Sequence, residues 1–249
     1  PRPGCSTVLP APIQSRIPLA EFQDDIGRYL DTCVLPFWTS ENFVDKDFGG
    51  FLYELDADLQ RNGDRKQLLP TLRMLYVRAV AISRCPDPDR RAAQVARYER
   101  QREWLARHFW DEDDDSWRWE LDRQGNVLDD HNPTIASIYA IYVLSNLYRL
   151  AEDTVALSYA EKTFDALDAC RHDHDQGGYF EHTNGAAGDR IRDYKDVGNN
   201  MHMTLALARL YQATGKPKHR ARLAELVDLL VAHARVPASN NVPYILTRY

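Results

Sequence analysis

The segment Phe43-Val-Asp-Lys-Asp-Phe-Gly-Gly-Phe51 occurs three times along the chain in related forms. A weaker copy, Phe-Trp-Asp-Glu-Asp-Asp-Asp-Ser-Trp, runs from Phe109 to Trp117, and a clear copy, Cys-Arg-His-Asp-His-Asp-Gln-Gly-Gly-Tyr, runs from Cys170 to Tyr179. The copies begin 66 and then 61 residues apart, which leaves room for two amphipathic helices between them. A repeat of this length predicts an array of units, each of which buries its apolar face against its neighbours.

Helical periodicity fills the intervals between the copies. Apolar residues recur every three to four positions, which predicts seven helices at about 21–38, 66–83, 89–109, 133–150, 154–170, 199–214 and 218–234. The helix after Pro133 is apolar on nearly every side, as is typical of a helix surrounded by other helices, whereas 218–234 is charged on one face and is expected outside. Strands are expected only in short hairpins at 50–56, 117–122 and 178–182, and Asp122-Arg-Gln-Gly125 predicts a hairpin turn.

Alternating buried and amphipathic helices predict an all-α fold of the (α/α)6 toroid or barrel type. We divide the chain into an irregular, proline-rich N-terminal arm at 1–18 and a single α/α barrel domain at 19–249, because no linker interrupts the repeat. A closed toroid of this type has twelve helices, so the predicted helices make up somewhat over half of a ring. We expect the sequence to be part of a longer protein; missing internal segments or closure by another subunit are the alternatives.

Composition excludes several classes of function. A net charge of −6 lacks the basic surplus that binding to a phosphate backbone requires, so nucleic acid is not expected as a partner. No apolar run approaches the roughly 20 residues needed to cross a bilayer, so no membrane association is expected. The four cysteines are widely spaced, which favours free thiols and a cytoplasmic protein.

Polar residues near the start of the inner helices are the first candidates for chemistry, because helix N-termini in an α/α barrel point toward one mouth of the cavity. These residues are Lys66, Arg73, His131, Asn132, Asp196, Asn199, Asn200 and His202. His202 lies between two methionines in an apolar helix and is either a buried core residue or a functional one. Arg73 falls within an apolar stripe and is either a structural ion-pair partner or a ligand contact.

A series of short motifs runs through the chain in a fixed order. They are Phe37-Trp38, Asp45-Lys-Asp-Phe-Gly-Gly-Phe51 with Asp56, Lys66, Leu72-Arg73-Met-Leu-Tyr76, Gly177-Gly178-Tyr179, Asn199-Asn-Met-His202 and Leu210-Tyr211. Together they resemble the N-acylglucosamine 2-epimerase superfamily, which includes cellobiose 2-epimerases and mannose or sulfoquinovose aldose–ketose isomerases. The resemblance covers about residues 20 to 235.

The resemblance implies an (α/α)6 barrel that moves a proton at C2 of a free reducing sugar through an enediolate, with histidines as acid and base. Arg73 then matches the arginine that contacts substrate oxygens near the enediolate, and His202 matches the acid/base histidine of the third inner helix. No metal or other cofactor is implied. Family members usually carry Glu three residues after this histidine, where this chain has Leu205, and the other catalytic histidines would lie beyond Tyr249.

Five further residues are candidate substrate contacts. Trp38 and Tyr139 could stack on the sugar ring, although the core is the favoured interpretation for each. Asn199 and Asn200 could hold sugar hydroxyls or orient His202. His131 lies at the start of the second inner helix, where many family members place Lys or Tyr. The sequence leaves open which sugar is used, whether C2 is epimerised or the carbonyl moves to C2, and whether the protein is a homodimer.

Three other interpretations remain open. A glycoside or unsaturated-uronyl hydrolase on the same toroid would need carboxylates facing the cavity, and Asp196 is the obvious candidate. A non-catalytic member would bind a carbohydrate or protein without turnover. His172, His174, Asp175 and His182 could suggest a metal site, but they flank the Gly-Gly hairpin, where a solvated acidic turn is expected, as it is at 111–115.

Overall fold

The computed structural model describes residues 19–181 and 194–233 and, for the backbone alone, 245–247. The expected N-terminal arm at 1–18 and His182 therefore lie outside the described residues. The first helix begins as α1, Leu19–Tyr29, passes through a π-helical turn at Leu30–Val34 and ends as α2, Leu35–Trp38. The turn precedes Pro36, which has no N–H to donate to the preceding turn of the helix.

Six further helices follow within the described ranges, all with ends within two residues of the predicted ones. They are α3 Leu68–Arg84, α4 Pro88–Phe109, α5 Thr134–Ala151, α6 Thr154–Arg171, α7 Val197–Thr214 and α8 Pro217–His233. The prediction of seven helices is confirmed for this part of the chain when α1 and α2 are taken as one. In the same ranges, no helix is both long and apolar enough to cross a membrane.

The helices lie in two layers. Helix α5 packs between α3 and α7, while α4, α6 and α8 pack against α3, α5 and α7 respectively. The inner helices α3, α5 and α7 share one apolar core with the outer ones, in which Leu72, Ile141 and Leu207 are fully buried. This order of inner and outer helices is the arrangement predicted for an α/α toroid.

The strands are short and lie at one end of the helices. Strand β4, Glu120–Asp122, pairs antiparallel with β1, Arg65–Gln67, and with β5, Val127–Asp129. Strand β2, Trp110–Asp111, pairs with β3, Ser116–Trp117, and β6, Tyr194–Asp196, pairs with β7, Ile245–Thr247. The predicted strand at 50–56 is reduced to isolated bridges, and the described part of 178–182 contributes only the bridge from His172 to Tyr179.

The apolar stripe of the first helix is the largest departure from expectation. The spacing of Phe22, Ile26 and Tyr29 predicts a buried face, yet these side chains are between 50% and 64% exposed. No residue of α1 is buried among the described residues, and the first buried position is Leu35 in α2. The periodicity correctly predicted a helix, but the other described residues bury only its C-terminal end, at Leu35.

Two copies of the repeated segment fold into matching structures that we call the lysine cradles. In the first cradle, Lys66 Nζ lies 3.1 Å from Asp45 Oδ2 and donates to the carbonyls of Gly49 at 2.5 Å and Arg123 at 2.7 Å. In the second, Lys195 Nζ lies 2.8 Å from Asp173 Oδ2 and donates to the Gly177 carbonyl at 2.6 Å.

The first aspartate of each cradle is buried, whereas the turn residues that follow it, 46–48 and 174–176, are exposed, so the acidic turn expected at the third copy is solvated except at Asp173. Asp45 is 2% exposed and Asp173 is 3% exposed, and each aspartate also accepts backbone N–H groups of its own turn. The expectation holds for the middle copy, where residues 112–115 are exposed and Asp111 pairs with Arg118 at 3.1 Å. The Gly-Gly pairs distinguish the two cases, because all four of these glycines have positive φ, which L side chains rarely adopt.

Candidate active site

The three inner helices bring together one residue from each repeat. Arg73, Tyr139 and His202 are each the sixth residue of their helix, on α3, α5 and α7 respectively. Because the helices lie side by side, equal positions meet in a row across them. We call this row the inner strip.

Tyr139 joins the two other residues of the inner strip. Arg73 Nη2 donates to the Tyr139 hydroxyl at 3.4 Å, and the guanidinium carbon lies 5.2 Å from the centre of the ring. On α7, the helix on the other side of α5, the centre of the His202 ring lies 5.8 Å from the centre of the Tyr139 ring. Arg73 is exposed, and Tyr139 and His202 are partly buried, so the strip is open to solvent and can be reached by a ligand.

A second row lies one helical turn further along. Tyr76, Tyr142 and Leu205 are each the ninth residue of their helix, and the rings of Tyr76 and Tyr142 lie 6.3 Å apart. Burial, reinforced by Tyr142, raises the pKa of Tyr76, so its phenol keeps the proton and remains a hydrogen-bond donor near neutral pH. Leu205 is 52% exposed, so this row presents two phenols and one apolar side chain.

Sequence reasoning missed Tyr76 and Tyr142 as candidate ligand contacts. The signal that could have found them is their position in the repeat, three residues after Arg73 and Tyr139. In a helix, residues three and four apart share a face, so a ligand contacting the sixth residue also approaches the ninth.

The N-terminus of α7 is fixed by a side-chain cap. Asp196 is 8% exposed, and its Oδ1 accepts the backbone N–H of Asn199 at 2.7 Å. The side chain of Asn199 donates to Glu181 Oε2. Asp196 therefore acts as a cap that orients the helix carrying His202, and it does not present a free carboxylate.

Two sequence candidates prove to be part of the architecture. Lys66 is fully buried in the first cradle, where removal from water, opposed by the pairing with Asp45, lowers its pKa. Asn200 is also fully buried, and its carboxamide bonds the Tyr179 N–H at 2.8 Å, the Tyr179 carbonyl at 3.0 Å and the Asp196 carbonyl at 2.9 Å. These hydrogen bonds of Asn200 are used within the protein, and its contact with a sugar stays a prediction.

Trp38 and His131 are placed by other contacts. Trp38 is 42% exposed and stacks on Phe43, with 5.2 Å between ring centres. The backbone N–H of His131 donates to Asp129 Oδ1 at 2.9 Å in the segment before α5. These contacts do not place either side chain on the inner strip, so their role as substrate contacts stays a prediction.

The histidines of the third copy belong to a polar network in which His172 is buried and His174 is exposed. His172 is 8% exposed and its Nε2 donates to Glu225 Oε1 at 2.7 Å, while its Nδ1 lies 3.2 Å from Nδ1 of His174. Although burial alone would raise the pKa of Glu225, hydrogen bonds from His172 and Arg222 lower it. Within 19–181 and 194–233, no group of three His, Cys, Asp or Glu residues is arranged to hold a metal ion.

The side chains of the inner strip indicate which chemistry it can carry out. An imidazole can take up or release a proton near neutral pH, and a guanidinium can stabilise negative charge on an oxygen. The phenol of Tyr139 lies against both and offers a flat apolar surface with a polar tip.

Comparison with known proteins places this geometry in context. The sequence model of the N-acylglucosamine 2-epimerase family matches residues 49–243, a range that includes all three residues of the strip. The cellobiose 2-epimerase of Bacteroides fragilis is 25% identical over 218 residues, which make up 83% of this chain and 54% of that protein.

Solved structures show the same fold. The cellobiose 2-epimerase of Bacillus thermoamylovorans B4167 superimposes with a TM-score of 0.74 at 21% identity, over 88% of this chain and 58% of that one. A D-mannose isomerase superimposes with a TM-score of 0.76 at 21% identity, over 94% of this chain and 57% of that one. The chain thus spans about half the length of the curated relatives it matches.

Proposed function

The chain belongs to the N-acylglucosamine 2-epimerase family, and we propose that its inner strip moves the proton at C2 of a free reducing sugar. The observation that carries the proposal is the contact row from Arg73 through Tyr139 to His202 across three helices. The row combines a candidate proton acceptor and a candidate cation on one solvent-accessible surface. The similarity of the chain to a cellobiose 2-epimerase supports sugar chemistry.

The proposed step begins with the open-chain aldose. Neutral His202 takes the proton from C2, the electron pair of the broken C–H bond forms a C1–C2 double bond, and the carbonyl electrons move onto O1. Arg73 stabilises the negative charge on this oxygen, which makes the intermediate an enediolate. Tyr139 positions the guanidinium and contacts the sugar chain.

The route of the returning proton decides the product. Delivery to C1, together with transfer of the O2 proton to O1, gives a ketose, and one imidazole can serve as both base and acid at carbon. Delivery to the opposite face of C2 gives the epimer and needs a second acid on that side. We propose mannose, glucose, cellobiose and N-acetylmannosamine as the sugars to test, because the strip alone does not distinguish them.

Exchange of the C2 hydrogen with deuterated water is the direct test, because it needs only the first base. Proton NMR of each sugar incubated with the protein should show loss of the C2 signal. His202→Asn and Arg73→Met should each slow exchange by about 10²- to 10⁴-fold. His174→Asn is the matched control, since His174 is an exposed histidine away from the strip. Exchange at equal rates in all three variants would contradict the proposal.

Hydrolysis is not favoured by the same geometry, because Asp196 is committed to capping α7. Binding without turnover is the second candidate, and one observation favours it. Leu205 exposes an apolar side chain where family members usually carry Glu, so a carboxylate near the base is missing. Saturation-transfer NMR that detects sugar binding together with unexchanged C2 hydrogen would support this second candidate.

A further inference from the structure

A polar cavity of about 200 Å³ lies between the end of α2, α3 and α4. Its charged lining comes from Arg78 on α3 and from Arg90 and Arg97 on α4, and Thr39 and Gln94 contribute neutral polar groups. Arg78 follows Arg73 by five residues, which turns it to a different face of α3. The cavity is therefore separate from the inner strip and does not depend on the proposed function.

The spacing on α4 brings its cavity residues onto one face. Arg90, Gln94 and Arg97 are four and three residues apart, the separations at which side chains line up along a helix. The same face packs toward α3, where Arg78 lies. The fold thus concentrates three guanidinium groups around one small space.

Arg78 is buried without enough partners. Its side chain is 6% exposed, and neither Nε nor Nη2 has a hydrogen-bond acceptor among the described residues. Nearby, the buried Ser40 Oγ, which can donate, and Gln94 Oε1, which is an acceptor, are also unsatisfied within the same residues. Buried donors without acceptors are costly, so this arrangement is expected to be completed by a ligand.

The two unsatisfied nitrogens form the side edge of the guanidinium, which binds oxyanions through two parallel hydrogen bonds. Three other arginines of this chain use that edge to hold a carboxylate. They are Arg84 with Asp31, Arg123 with Asp45, and Arg222 with Asp168. No carboxylate of the described residues bonds the same edge of Arg78.

The charge balance points to an anion. Among the described residues, Glu41 is the carboxylate that pairs with the cluster, and its Oε1 lies 3.9 Å from Arg78 Nη1 and 3.6 Å from Arg97 Nη1. One carboxylate at these distances leaves an excess of positive charge around the cavity.

We propose that this cavity binds a small tetrahedral oxyanion such as phosphate, either free or as the phosphate group of a small ester. Arg78 makes the bidentate contact with the oxyanion, and Arg90 and Arg97 neutralise the remaining negative charge of the ligand. The volume supports a small ligand, because pockets for drug-sized molecules start at about 300 Å³.

Thermal unfolding and isothermal titration calorimetry with sodium phosphate test the proposal at constant ionic strength, with chloride as the balancing anion. Phosphate at 20 mM should raise the unfolding temperature of the wild type by several degrees, because a ligand that binds only the folded state stabilises it. Glucose 6-phosphate and glucose form the second and third arms. Tighter binding of glucose 6-phosphate than of phosphate assigns the site to esters, and equal binding assigns it to the free anion. Any heat from glucose should be the same in Arg97→Ala as in the wild type, because a sugar without phosphate would bind at the strip and not in this cavity.

Variants separate the site from general charge effects. Arg78→Met and Arg97→Ala should each weaken phosphate binding at least tenfold. Arg97 is exposed, so its variant keeps the test valid if Arg78→Met does not fold. Arg91→Ala is the matched control, an exposed arginine of α4 that does not line the cavity, and should bind as the wild type does. No stabilisation by phosphate, or equal binding by the Arg97 and Arg91 variants, would overturn the proposal.

Discussion

The lysine cradles and the inner strip use charged side chains in opposite ways. In the first cradle, Lys66 is fully buried and its ammonium group meets a carboxylate and two carbonyls. On the strip, Arg73 is exposed and donates to a phenol through a long hydrogen bond of 3.4 Å. The difference teaches that a charged group fully bonded within the protein supports the fold, while one left open is available for chemistry.

The copies of the repeated segment have only a few structural features in common. The first and second cradles share an aspartate, a positive-φ Gly-Gly pair and a lysine, although the surrounding residues differ. The middle copy lacks both the Gly-Gly pair and the lysine, and Arg118 takes over the pairing with Asp111. The pairing of a cation with the acidic turn is thus the feature common to all three copies.

The largest expected effect comes from breaking a cradle. Asp45→Asn and Asp173→Asn each leave a buried lysine without its carboxylate, which should lower the free energy of unfolding by about 3–5 kcal/mol. Urea denaturation measures this value. An effect below about 1 kcal/mol in both variants would mean that the cradles do not support the fold.

A smaller effect should follow from adding a methyl group at a cradle glycine. Gly178 has φ +78°, and a Cβ there would lie 2.7 Å from Leu229 Cδ2 and 3.0 Å from Asn200 Oδ1. Gly178→Ala should therefore lower the free energy of unfolding by about 2–4 kcal/mol, from backbone strain and overpacking together.

Gly215→Ala is the matched control for this variant. Gly215 ends α7 with φ +65°, and a Cβ there would meet no atom within 4 Å, so only the backbone term of about 1 kcal/mol remains. Equal losses in the two variants would show that close packing around Gly178 contributes nothing.

Acid should weaken the cradles through their aspartates. Although burial alone would raise it, the hydrogen bonds from Arg123 and Lys66 hold the pKa of Asp45 below its usual 3.8, and Lys195 does the same for Asp173. A lowered folded-state pKa stabilises the fold above pH 3.8, and this contribution is lost as the pH falls through the folded-state value. Unfolding free energies measured from pH 7 to pH 3 should fall less steeply in Asp45→Asn than in the wild type.

The smallest effect on stability is expected on the strip. Arg73→Met removes an exposed side chain and should change the free energy of unfolding by no more than about 0.5 kcal/mol. A loss of 2 kcal/mol or more in urea denaturation would place Arg73 with the cradles as a structural residue.

The sequence predicted the helices well and the polar contacts less well. Helix ends lie within two residues of expectation because the apolar period is local and strong. Strands β1, β2, β5, β6 and β7 were not predicted, since segments of two or three residues show no period. The exposed face of α1 was mispredicted, because a periodic pattern does not reveal which neighbour covers a helix.

Side-chain roles depended on contacts between distant residues. Lys66 was a candidate cavity residue because it precedes an inner helix, yet its partners Asp45 and Arg123 lie 21 and 57 residues away. The sequence likewise did not reveal that the carboxamide of Asn200 bonds Tyr179 of the hairpin. Arg73 and His202 were paired through a family resemblance, and the structure brings both against Tyr139.

We propose that the open strip performs chemistry while the closed cradles hold the fold. The C2 hydrogen exchange rate of His202→Asn, measured by NMR in deuterated water on a sample whose unfolding free energy is known, tests it most directly. We predict exchange at least 100-fold slower than in the wild type with an unchanged unfolding free energy. Wild-type exchange in this variant, or a loss of exchange that only follows a loss of folding, would contradict the account.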